Sequence, residues 1–388
     1  MSNLSYTQAS LQHLLLELGV QLSQPLLRML CWLMMALLEK TPAHLFRLAE
    51  KLPDDDTTDR ARCQRVRRFL SNQRLVVSSF LPILVRLIRP LVQPLPQITL
   101  SLDRTCWQKR RSVVTILSVG LVGEGFCVPL FWIVLARAGN TRESHWQQVL
   151  TPVLDTLRST TWLAGTPIVV AADREFASPK LAAWLWRTYR VESCLRAKRS
   201  EYLTHHHVCQ KIARWLEPLQ PGECRFLRAC QVTRGCDFRM NVLLHWKKGA
   251  EEPWVVMTTL NRYPEAYATY RQRWLIEPMH RHWKSVGFDI EGTRVTQPER
   301  IERLLLPIAL CYALCVLEGH RKEAAGQTTR ASQQKRIHSL FLEGLASFCR
   351  ILRSWEVSRI HRFWERLFGQ GRWLDIMRAR LEEKCVTY

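Results

Sequence analysis

Acidic residues are scarce in this 388-residue chain: 34 Asp plus Glu stand against 56 Lys plus Arg, a net charge of +22. Such a deficit excludes an acidic, solvating protein. It draws in polyanions, with binding that weakens as salt rises. Nucleic acid is the expected partner; a solubility device or a ribosome-bound protein is the bland alternative. The 13 cysteines include no C-x2-C pair, so neither a zinc site nor a disulfide framework reads out, and buried reduced thiols are expected. Long apolar runs are also missing. Leu26 to Leu38 is interrupted by Arg28, and Leu304 to Leu317 contains Pro307; both are too short to span a membrane and read as buried helices. The opening MSNLSYTQASLQHLL is not a signal peptide. A cytoplasmic protein with no membrane partner is the expectation. GLVGEG, from Gly120 to Gly125, lacks the Lys and Ser/Thr of a phosphate loop and fits a hairpin turn, so no nucleotide cofactor is expected.

What is present divides the chain by its periodicity. Residues 1–95 repeat apolar side chains at three- and four-residue spacing and read as helical. Thr41-Pro42 resembles an N-cap followed by proline at the first helical position. The polar LPDDDTTD turn then leads into an arginine-rich helix with Arg62, Arg65 and Arg68 as candidate DNA contacts; ordinary solvated charges are the alternative. From Gln97 the pattern becomes extended: QITLSLD ending at Asp103, then Val113 to Leu121, then Val128 to Leu135. A helix over Ser144 to Leu157, a strand over Pro167 to Ala172, a helix over Pro179 to Tyr189 and a strand over Val191 to Leu195 follow. The order βββ-α-β-α is that of a ribonuclease-H-like core, first part 96–200. Residues 201–262 read as a β-rich insertion. Residues 263–320 supply the last part of the core, and 321–388 form a basic helical C-terminal region. The fold class is α/β, with helical regions at both ends.

The chemistry lies in YRQRWLIEPMHRHWK. On one regular helix at about 100° per residue, Tyr270, Arg273, Glu277 and Lys284 fall within about 60° of a single face. An acid able to hold metal thus stands beside cations able to hold phosphate. Asp103 and Asp173 each end an apolar run, where a strand-end carboxylate is exposed at a sheet edge. With Glu277 they could converge on two divalent ions, which activate a hydroxyl nucleophile and stabilise the leaving oxygen. Two Mg2+ suit oxygen ligands, with Mn2+ as the substitute. Turn residues at two strand ends, with an i,i+4 Arg273–Glu277 pair, are the plain alternative. Arg104 and Arg174 follow the two aspartates and could meet phosphate or form salt bridges. Trp246 and Trp254 could stack on an unpaired base or simply fill the core.

Asp103-Arg104-Thr105, Asp173-Arg174-Glu175-Phe176 and the spaced Tyr270, Arg273, Glu277 and Lys284 together resemble the IS4-type bacterial DDE transposases. RFLSN, from Arg68 to Asn72, is similar to an N-terminal stretch of the same group. The resemblance implies magnesium-dependent cleavage of element ends by water, then attack of the freed 3′ hydroxyl on target DNA, in several relatives through hairpin ends. It implies catalytic Asp103, Asp173 and Glu277, and DNA contacts from Tyr270, Arg273 and Lys284. It also implies a flipped base on an insertion tryptophan, terminal inverted repeats and target DNA as partners, and a homodimer in the active synaptic complex. Glu175 departs from the pattern, since many relatives have glycine there. A nuclease or resolvase without strand transfer, and a non-catalytic DNA-binding derivative, are the competing readings.

Overall fold

The computed structural model describes residues 3–53, 57–109, 112–233, 235–328, 337–354 and 357–368. Helices α1 (Asn3–Glu17), α2 (Gln24–Leu38), α3 (Leu45–Glu50) and α4 (Asp59–Leu70) come first, then α5 (Leu81–Leu87) and α6 (Arg89–Val92). The Thr58 hydroxyl caps α4 by accepting from the Ala61 amide at 3.3 Å, with Asp59 in its first turn and Arg67 and Arg68 in its last. These charges complement the helix dipole. The expected cap at Thr41 does not form. The Ala43 amide donates instead to the Phe288 carbonyl at 2.6 Å. That bond fastens the segment to the rest of the molecule and delays the helix to Leu45.

Among the described residues, ten strands build one open mixed sheet: β1 (Ile98–Lys109), β2 (Ser112–Gly123), β3 (Phe126–Leu135), β4 (Ile168–Ala172), β5 (Glu192–Arg196), β6 (Tyr202–His205), β7 (Val208–Lys211), β8 (Cys224–Val232), β9 (Arg239–His245) and β10 (Trp254–Thr258). Their order is β3-β2-β1-β4-β5-β10-β9-β8-β6-β7. β1, β4 and β5 run parallel, and the other pairings are antiparallel. The strands from Tyr202 to Thr258 thus continue the central sheet, because β10 zips onto β5. Helices α7 (Glu143–Ser159) and α8 (Pro179–Tyr189) connect the parallel strands, and α9 (Ile212–Leu216) follows β7. The His205 to His207 run forms the β6–β7 hairpin turn, with His206 and His207 in the left-handed region.

β3 is buried along nearly its whole length, which explains why FCVPLFWIVL reads as a continuous apolar run rather than an alternating one. Its Pro129 is tolerated because β3 is an edge strand with a register shift beside it. Helix α12 (Pro298–Ala324) covers β3 and contacts α2 and α13 (Leu340–Leu352). Its residues Leu304 to Val316 are all buried, each large apolar side chain contributing about 1.5–3 kcal/mol on the transfer scale. α12 and α13 cross so closely that a methyl group on Gly319 or Gly344 would collide with the backbone of the other helix. Within the C-terminal region, α13 and α14 (Val357–Phe368) are helical; residues 369–388 lie outside the described residues, as do 54–56 of the LPDDDTTD turn. Among the described residues, no helix is long and apolar enough to cross a membrane.

Candidate active site

The register of the parallel strands places the first two acids. β1 pairs with β4 up to Leu102↔Ala172. The next residue on each strand is an aspartate, Asp103 and Asp173, so they leave the sheet side by side. The sequence pattern ends the strand at Asp103, but the structure does not. β1 runs on to Lys109 against β2, where Asp103 faces Ser118. The β4 side of β1 is what opens at Asp103, and the carboxylate emerges there.

The third acid comes from the segment after β10, and that segment is not the single regular helix the spacing predicts. It comprises α10 (Tyr263–Gln272), a 3-10 turn (Arg273–Leu275), α11 (Ile276–Arg281) and a widened π turn (His282–Val286). Pro278 supplies a physical reason: it has no N–H to offer the Trp274 carbonyl and crowds it. At the far end, the Gly287 and Phe288 amides both donate to the His282 carbonyl at 3.0 Å. A side chain at Gly287 would strike that carbonyl. The result separates the four signature residues. Tyr270, Arg273 and Glu277 turn towards the aspartates. Lys284 lies farther along β1, donating to the Cys106 carbonyl at 3.2 Å and pairing with Glu291 at 2.8 Å.

Arg273 is the hub. Its side chain is 8% exposed, with Nη1 4.0 Å from Asp103 Oδ2 and Nη2 3.0 Å from Glu277 Oε1. The Tyr270 hydroxyl donates to Asp173 Oδ1 at 3.3 Å, and the guanidinium stands 5.8 Å from the Tyr270 ring centre. Burial alone would lower the Arg273 pKa; Tyr270, Asp173, Asp103 and Glu277 reverse that and raise it. One guanidinium therefore feels all three carboxylates. Asp103 is pushed up to about 7, chiefly by burial, against the lowering effects of Arg273 and the Arg104 amide; Asp173 and Glu277 add repulsion. Behind it, His280 shares a 2.8 Å hydrogen bond with Ser118, and its Nδ1 lies 4.0 Å from Asp103. Burial, helped by Lys284, lowers its pKa to about 3, so it is a neutral support at physiological pH. Sequence reasoning allowed His280 at most a contact with DNA; its burial behind Asp103 becomes visible only in the packed structure.

The other candidates divide. Trp254 packs edge-on against Tyr270, with ring centres 5.2 Å apart. It lines a 440 Å³ pocket together with Asp173, Arg196, Arg273 and Glu277. Trp246 is outside that pocket and donates to the Ala250 carbonyl at 2.9 Å. Arg104 is held by Glu175, whose other oxygen accepts from the Thr141 amide and hydroxyl, both at 2.7 Å. Glu175 is thus a strut fixing Arg104 and the loop before α7. Arg174 pairs with Glu252. Arg196, which the sequence reading missed, stands 3.8 Å from Asp173. Its signal was the same one that marked Asp173: a charged residue closing an apolar strand.

Among the N-terminal candidates, Arg62 is paired with Asp59, and Arg65 lies on the exposed side of α4. Arg68 lines a 1150 Å³ cleft between α3–α4 and the segment leading into α12. Arg47, Arg67, Arg294 and Arg300 share that cleft, and among the described residues no acidic side chain lines it.

The donor set of Asp103, Asp173 and Glu277 is oxygen only, which fits a hard divalent cation. In this arrangement Arg273 bridges Asp103 and Glu277. Among the described residues, no three ligand-type side chains already form a closed metal cluster. Among the described residues the cysteines make no such cluster either.

Residues 127–314 match the family described as "Transposase DDE domain", so a DDE transposase domain is present there. The match begins within β3 and includes Asp173 and Glu277, whereas Asp103 precedes it. No curated protein matches the chain.

Proposed function

We propose that Asp103, Asp173 and Glu277 are the catalytic centre of a DNA transposase with a ribonuclease-H-like core. It cuts at element ends and joins the freed 3′ hydroxyl to target DNA. The observation that carries this reading is the convergence of three carboxylates from β1, β4 and α11 around one buried guanidinium. The matched family supports it. The three carboxylates would hold two Mg2+, or Mn2+ in substitution. When bound, these cations neutralise phosphate charge and favour a nucleophilic hydroxyl.

The chain's own residues position the DNA. Arg273 borders the pocket beside Glu277, and its Nη groups can turn from the carboxylates to a phosphodiester. Lys284 supplies a point charge farther along β1. Tyr270 fixes Asp173, and Trp254 offers a face to a base lifted from the duplex. Arg174 reaches phosphate once it releases Glu252. Arg104, tied to Glu175, orients the Asp103 side of the site. Each step exchanges one phosphorus–oxygen bond for another. First, water oxygen bonds to phosphorus and the element's 3′ oxygen leaves with a proton. That oxygen then attacks a target phosphodiester and releases a target 3′ hydroxyl. The bond count is conserved, so no nucleotide cofactor is required. The active complex would be a homodimer on paired terminal repeats.

The basic cleft is the proposed grip for flanking duplex. Replacing Arg67 and Arg294 together by alanine should weaken binding to duplex DNA about tenfold at moderate salt. It should also reduce the slope of log affinity against log salt by about two. Unchanged slope and affinity in a fluorescence titration would remove the cleft from the account.

The reading as a whole is tested with wild-type protein, magnesium and two labelled DNAs: an intact terminal repeat with its flank, and the same end already cut. Cleavage of the first and joining of the second to a plasmid are expected. Cleavage without joining would assign the site to a nuclease instead.

A further inference from the structure

Glu252 stands on the loop between β9 and β10, two residues before Trp254. Its carboxylate gathers three guanidiniums from two segments, one after β4 and one at the end of β5. Oε1 accepts from Arg174 and, at 2.9 Å, from Arg196; Oε2 is 3.5 Å from Arg199 Nη2. Arg174 directly follows Asp173, Arg196 ends β5, and Arg199 lies on the way to β6. Arg196 also reaches within 3.8 Å of Asp173. The cluster therefore flanks the acid centre and borders the Trp254 pocket.

Three guanidiniums repel one another and stay together only around an anion. Glu252 supplies one negative charge, and its side chain is 40% exposed on an irregular loop. A phosphodiester has the same charge and the same two-oxygen fork, with geometry suited to arginine. Glu252 thus presents to Arg174, Arg196 and Arg199 the chemistry of one DNA phosphate.

Resting on the transposase reading, we propose that Arg174, Arg196 and Arg199 form a subsite for a DNA phosphodiester beside Asp173. Glu252 fills that subsite in the DNA-free protein and leaves it when the strand enters. The acid is an internal competitor. It keeps the arginines assembled and prevents stray polyanions from settling next to the acid centre.

The test compares full-length wild type, Glu252→Gln and Glu251→Gln by fluorescence anisotropy on a labelled terminal-repeat duplex, in EDTA so that no cutting occurs. Glu251 is its exposed neighbour and controls for net charge. Glu252→Gln should bind about three- to fivefold tighter, the scale of an exposed ion pair, with Glu251→Gln unchanged. The gain should shrink in an Arg196→Ala background, as coupling through one seat requires. Glu252→Ala provides a second removal of the charge, and thermal melts confirm that each variant is folded. Equal tightening by both Gln variants would reduce the effect to overall charge. Weaker or unchanged binding by folded Glu252→Gln and Glu252→Ala would make the acid a mere anchor; either result overturns the proposal. Joining by wild type on the same DNA is scored separately. Tightening without joining sinks the transposase reading and leaves the subsite, and joining without tightening does the reverse.

Discussion

Under the proposed function, Asp103→Asn should lose strand joining by about a thousandfold or more, since one of the carboxylates proposed to hold metal is removed, yet it should stabilise the metal-free protein at pH 8. The sign follows from the folded-state pKa of about 7 against about 3.9 for an unfolded aspartate. Below pH about 4 both states carry the proton and Asp103 contributes nothing. Between about 4 and 7 the folded state keeps the proton and the unfolded state does not, so stability falls as pH rises; above about 7 the full penalty is present. Three units would correspond to at most about 4 kcal/mol, and relaxation of the site brings the expectation to about 1–3 kcal/mol. Urea or thermal unfolding in EDTA should therefore show Asp103→Asn melting above wild type at pH 8, with the gap shrinking towards pH 4. Adding magnesium should stabilise wild type through binding to the folded state and leave Asp103→Asn unmoved. A variant less stable than wild type at pH 8, or equal responses to magnesium, would contradict this electrostatic picture.

Arg273 gives the second large effect. Its guanidinium is nearly buried, and it touches Glu277 while facing Asp103. Removing it by Arg273→Ala leaves carboxylates crowded without their cation, a loss on the order of 1–2 kcal/mol because Glu277 is 44% exposed and partly screened by solvent. Arg273→Lys keeps the charge but replaces a planar fork with a point charge that cannot face both acids and a phosphate together. The lysine variant should melt within a few degrees of wild type yet join DNA about a hundredfold more slowly. Wild-type joining by Arg273→Lys would show that charge alone suffices and would remove the bridging role.

Much of the fold was legible because its signals are local. The apolar runs that become β2 to β5, the insertion strands β8 to β10 and the helices between them declare themselves by periodicity and by the turn residues around them. What escaped depends on contacts distant in sequence. QITLSLD reads as ending at Asp103, but only the β1–β2 pairing shows that the strand continues, and only the β1–β4 register shows why the aspartate still emerges. The signature spacing correctly groups Tyr270, Arg273 and Glu277. It overreaches at Lys284 because an ideal helix was assumed across Pro278 and across the widened turn ahead of Gly287. Trp246 and Trp254 look equivalent in sequence; the register of β10 on β5, and the packing of Tyr270, bring only Trp254 to the acids. In sequence Glu175 adds negative charge beside Asp173; in the structure Arg104 and Thr141 absorb it. Arg294 and Arg300 carry no local signal at all. They matter because the chain folds them against α4, more than two hundred residues away.

Under the proposed function, Glu277 completes a phosphoryl-transfer centre with Asp103 and Asp173. The direct measurement is joining of a labelled, precleaved terminal repeat, taken from the DNA flanking the gene, by wild type and Glu277→Gln in magnesium. Glu277→Gln keeps the shape of the side chain and a hydrogen bond to Arg273 while losing the charge that would hold the cation. Joined product from wild type, with none above about a thousandth of that rate from a folded, DNA-binding Glu277→Gln protein, is the predicted result. Equal joining by the two proteins, or none by either while both still bind the DNA, would contradict it.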